Sequence, residues 1–102
     1  MYLAIQEDGQ LALEESEDFM RFHIAATAGQ LAASAPFAGI SEDAGDGHYW
    51  LNADAVIALS PGANNADWTS AFETMLEKAA PYGYADLAGR RIKAHVIAPG
   101  GD

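Results

Sequence analysis

Arg91-Ile92-Lys93-Ala94-His95-Val96-Ile97 alternates: Ile92, Ala94 and Val96 are apolar, and Arg91, Lys93 and His95 stand between them. Successive side chains of a strand point to opposite faces, so the run reads as a strand with one core face and one basic face. Working back from it, Trp68, Phe72, Met75, Leu76 and Ala79 recur at helical spacing and form one apolar stripe. Asp67 lies at the positive end of that helix and Lys78 near its negative end, and Pro81 and Gly83 stop it.

At the other end of the chain, Tyr2 to Gln6 and Leu11 to Glu14 alternate on either side of an Asp8-Gly9 turn, the strongest short hairpin signal. Ser16 followed by Glu17 and Asp18 predicts a short capped helix. Phe22 to Thr27 fits a strand or more helix; strand is preferred because Thr27-Ala28-Gly29-Gln30 then opens a helix with a capping box. That helix is expected to run through Leu31 and Ala35 until Pro36 disturbs it. Gly39–Glu42 and Gly47–Leu51 flank a polar loop and predict a second hairpin. Asn52 caps a helix through Val56, Ile57 and Leu59.

The expected fold class is α+β: a mostly antiparallel sheet of five or six short strands, with three or four helices packed on one face. Residues 1–98 are read as a single domain and 99–102 as a frayed C-terminal tail.

Composition narrows the function classes. The 102 residues include no Cys, which excludes disulfide frameworks, thiolate metal sites and cysteine nucleophiles. No run approaches 18 apolar residues and the start lacks a basic signal segment, so a cytoplasmic location is expected, with no membrane partner. The net charge is −10, and residues 1–60 carry ten acids against one base, Arg21. Such a surface repels phosphate backbones, which argues against nucleic acid as a partner. The acid serves solubility, or it forms a face that docks on a basic protein or mimics a nucleic acid.

Candidate chemistry centres on His23, His48 and His95, with Arg91 and Lys93 beside the last. If the strands holding His23 and His95 are neighbours, the two meet across the sheet and form with Arg91 a cationic spot suited to carboxylate or phosphate. The plainer reading is a soluble sheet surface whose bases pair with nearby acids. Trp50 shares a strand face with His48, and the pair lines a pocket or packs under the following helix. A three-histidine metal site lacks any His-Glu-x-x-His pair or helical His spacing, so no metal and no cofactor is expected. Glu42 to Gly47 lacks the alternating acids of a calcium loop. Dinucleotide, Walker and nucleophile-elbow motifs are absent.

Arg21-Phe22-His23, His48-Tyr49-Trp50-Leu51, Asp67-Trp68 with Phe72 and Met75, and Arg91 to Val96 together resemble a group of small bacterial proteins of about this length. The resemblance spans nearly the whole chain and implies an intact one-domain protein, with no activity, cofactor or partner attached. The expected function is therefore non-catalytic binding to another protein or to itself, for which the first hairpin and the terminal strand offer edges to a homodimer. The alternative is a small-molecule or anion-binding protein or enzyme built on His23, His95 and Arg91, with His48 and Trp50.

Overall fold

The computed structural model describes residues 1–98. The tail expected at 99–102 lies outside them. The strands are β1 (Tyr2–Ile5), β2 (Leu11–Glu14), β3 (His23–Ala25), β4 (Ser41–Gly45), β5 (His48–Asn52), β6 (Ala85–Asp86) and β7 (Arg91–Ile97). The helices are α1 (Ala28–Ala33), α2 (Ala35–Ile40), α3 (Ala53–Leu59) and α4 (Ala66–Ala79), the last followed by a 3-10 turn at Ala80–Tyr82.

The fold is α+β, with four α-helices and one sheet in the order β2-β1-β3-β7-β5-β4; β6 pairs separately with β7. Apolar positions Leu3, Ile24, Leu51, Ile92 and Ala94 face the helices and join Phe37, Val56, Trp68, Phe72 and Leu76 in one core. Burial of the larger of these side chains, at roughly 1.5–3 kcal/mol each, drives the docking of the short helices. The capping signals at Thr27 and Asn52 are used as the sequence predicts, Asn65 caps α4, and Gly83 ends the 3-10 turn that follows it. The first hairpin turns through Gly9 at φ +85°, a left-handed value that glycine adopts without strain.

Five expectations are corrected. The sheet is mixed: β1–β3 and β3–β7 are parallel. The strand count is seven, because the two-residue β6 is too short to carry a periodic signal.

Residues 15–22 form turns rather than a helix. A helix opening at Ser16 would offer the Ser16 carbonyl to Met20, but that carbonyl accepts the Trp68 indole N–H at 2.7 Å. The Met20 N–H donates instead to the Asp18 carboxylate. The carbonyls of Asp18 and Arg21 accept the Met1 ammonium, each at 3.1 Å. The segment wraps the start of β1, and this crossing delivers β3 parallel to β1.

The helix expected from Thr27 through Ala35 is two helices, because Ser34 caps a new one and Pro36 falls in its first turn, where proline is tolerated. Finally, β7 lies inside the sheet, between β3 and β5, so the terminal strand is not an edge strand. The strands paired on one side only are β2, β4 and the two-residue β6.

On the helix side, Arg90 donates to Glu73 of α4 and Asp54 of α3. The guanidinium lowers both carboxyl pKa values. These groups are partly exposed, so the network contributes at most about 1 kcal/mol.

Candidate functional site on the open sheet face

The alternation that sends Leu3, Ile24, Leu51 and Ile92 into the core sends Tyr2, His23, Trp50 and Arg91 to the other face. No helix packs on that face among the described residues, since the buried residues of α2, α3 and α4 belong to the core on the opposite side. Trp50 therefore lies on the open face, not under the helix that follows it.

Register places the three histidines in one row. His48 is directly opposite His95 across β5 and β7, with ring centroids 5.8 Å apart. Parallel pairing of Ile24 with Val96 sets His23 beside His95, at 6.3 Å. Tyr2, paired with His23, stacks on it at 5.1 Å. Tyr84 lies 6.2 Å from His48. The row runs Tyr2, His23, His95, His48, Tyr84.

A second row adjoins it. Trp50 takes the Arg91 guanidinium at 4.5 Å and the Lys93 ammonium at 5.0 Å from its ring centroid. The ammonium is also 5.7 Å from the Tyr84 centroid. Such cation–π contacts contribute about 0.5–1 kcal/mol each at exposed sites. Arg91 is neutralised by Asp86 at 3.0 Å and Glu42 at 3.4 Å. Among the described residues no carboxylate lies within 4 Å of the Lys93 ammonium.

All five residues singled out from the sequence, His23, His48, His95, Arg91 and Trp50, are thus brought to one face. Tyr2 and Tyr84 complete the row and were not singled out for it. Tyr2 sits on the polar side of an alternating run, which is a readable signal; Tyr84 depends on the pairing of β6, which is not.

The His48 Nδ1 is 3.0 Å from the Asp46 carbonyl, which only accepts, so Nδ1 donates and Nε2 carries the lone pair of the neutral ring. That is the one hydrogen bond made by a histidine ring among the described residues. Among the described residues no carboxylate orients a histidine as in a hydrolytic triad. Among the described residues no three His, Asp or Glu side chains are grouped to hold a metal ion.

Burial, the neighbouring His95 and the Met1 ammonium lower the His23 pKa below 6.5, against a smaller opposing effect of Glu15. The unfolded chain then takes up this proton first as pH falls. Stability contributed by neutral His23 is full above pH 6.5 and is lost as pH falls through its lowered folded value. Urea midpoints are expected to drop from pH 7.5 to pH 5.5, and His23→Gln to flatten that drop. An unchanged slope in the variant would assign it to other groups.

No helix among the described residues is long and apolar enough to cross a membrane. No family model, curated protein or solved structure matches the chain.

Proposed function

We propose that this chain is a binding protein that holds an anionic group, a carboxylate or phosphate, on its open sheet face. The observation that carries this reading is the row His23, His95, His48 on three adjacent strands, flanked by Lys93 and Arg91, in a chain of net charge −10. Imidazoles offer N–H donors, and an anion beside them favours their protonated form, so binding and proton uptake reinforce each other. Lys93 supplies a fixed charge with no carboxylate to compete for it among the described residues.

Acetate is the probe. Its addition is expected to move the Cε1–H signals of the three histidines saturably, with affinity rising from pH 8 to pH 6. Lys93→Gln is expected to weaken binding about tenfold, a change of about 1.4 kcal/mol. Histidine signals that ignore acetate at both pH values overturn the reading.

The half-buried Trp50, held between Arg91 and Lys93, favours a second reading in which the same face meets a partner protein, because Trp, Tyr and Arg dominate interface energetics. A second copy is the testable partner. Sedimentation velocity that finds a dimer dissociated by Trp50→Glu supports it; a monomer across the micromolar range removes self-association.

A further inference from the structure

Beside the histidine row the sheet is incomplete. β5 occupies one edge of β7 from Arg91 to His95. β6 and β3 share the other edge end to end, β6 at Arg91 and Ile92 and β3 at Val96 and Ile97. A pocket of about 230 Å³ opens at this gap, between the 19–22 segment and α4. Phe19, Phe22, Met75 and Ile92 are among its apolar walls. Tyr84, Arg21 and Lys93 also line it, and none of its lining residues is an acid.

Charge makes the pocket selective. The chain holds fifteen acids and five Lys or Arg. Arg90 and Arg91 are tied up in ion pairs. Arg21, Lys78 and Lys93 have no carboxylate within 4 Å among the described residues, and two of these three, Arg21 and Lys93, border this one pocket. An apolar cavity of about 150 Å³ accepts benzene, so about 230 Å³ has room for one ring and a short acidic arm. The rings of Phe19, Phe22 and Tyr84 suit a flat occupant, and the Met75 thioether adapts to its outline.

We infer that the ligand is a small aryl carboxylate, its ring in the pocket between β3 and β6 and its carboxylate on Lys93 and Arg21. This rests on the anion-binding reading of the open face and adds the apolar part of the ligand. Lys93 joins the two regions: its ammonium lies between Trp50 and Tyr84, and Tyr84 borders both the pocket and the histidine row.

Methyl-labelled methionine provides the test, because Met20 and Met75 line the pocket while buried Met1 does not. Phenylacetate is expected to shift the Met20 and Met75 methyl signals and leave that of Met1 in place. It is expected to bind at least about tenfold more tightly than acetate, from burial of part of the ring. The double variant Arg21→Gln, Lys93→Gln is expected to lose at least about tenfold for phenylacetate and little for benzyl alcohol. Arg21 is exposed and Lys93 lies on the sheet surface, so the fold is not at stake.

If acetate moves the histidines but phenylacetate binds no better, the pocket proposal fails and the anion reading stands. Phenethylammonium binding as well as phenylacetate also overturns the proposal, because the cations then select nothing. If no probe moves any signal, both fail.

Discussion

Phe72→Ala is expected to remove about 3–5 kcal/mol of stability, the range for deleting a buried aromatic ring. Phe72 is 0 % exposed and is the largest fully buried side chain. It stacks on Trp68 at a centroid distance of 5.3 Å, and Trp68 in turn reaches Phe19 and the Ser16 carbonyl. The loss therefore spreads from α4 into the 15–22 segment that carries β3 into register. A domain this size has only about 5–15 kcal/mol in total. A fall in Tm of roughly 15–30 °C is expected, read by thermal denaturation with far-UV circular dichroism. A shift under about 5 °C would mean that the core closes over the gap and that Phe72 does not hold the helix to the sheet.

The second largest effect is expected from Ser34→Ala, at about 1–3 kcal/mol. One hydroxyl does two tasks there. It accepts the Phe37 N–H as N-cap of α2 and donates to the Gly9 carbonyl at 2.6 Å, joining the first hairpin turn to the helix pair. Ser34 is 2 % exposed, so water replaces neither bond readily. Loss of a cap costs about 0.5–2 kcal/mol, and an unpaired polar group in a partly buried place adds to it. Thr27→Ala is the control: its capping box is exposed and makes no long-range bond, so a loss of about 1 kcal/mol is expected. Urea denaturation of both variants measures the difference. Equal losses would show that the bond to Gly9 contributes nothing beyond capping.

These two residues also mark where the sequence is legible. The stripe that includes Phe72 shows at helical spacing, because a helix repeats its buried face every three to four residues. Ser34 does not stand out: inside an alanine-rich stretch it reads as one more helical residue, and Pro36 as the end of a helix rather than the start of the next. The segment at Ser16 fails for a related reason. Its acids fit a helix start, but its carbonyls are claimed by the Met1 ammonium and the Trp68 indole, groups 15 and 52 positions away from Ser16.

The candidate site divides along the same line. Alternation alone assigns His95, Arg91 and Lys93 to one face of a strand, His48 and Trp50 to one face of another, and His23 to the polar side of a third. Those assignments follow from local geometry, since side chains of a strand alternate whatever the strand pairs with. Whether the three histidines meet depends on strand order and register, and no local rule contains either. The parallel pairing of β3 with β7 joins residues more than 70 positions apart. It is selected by burial of Ile24, Ile92 and Phe72 in a common core, to which every helix and every strand except β4 contributes. The sequence by itself determined which residues face the solvent side of each strand; only the tertiary structure, through this shared burial, decided that those faces form a single surface.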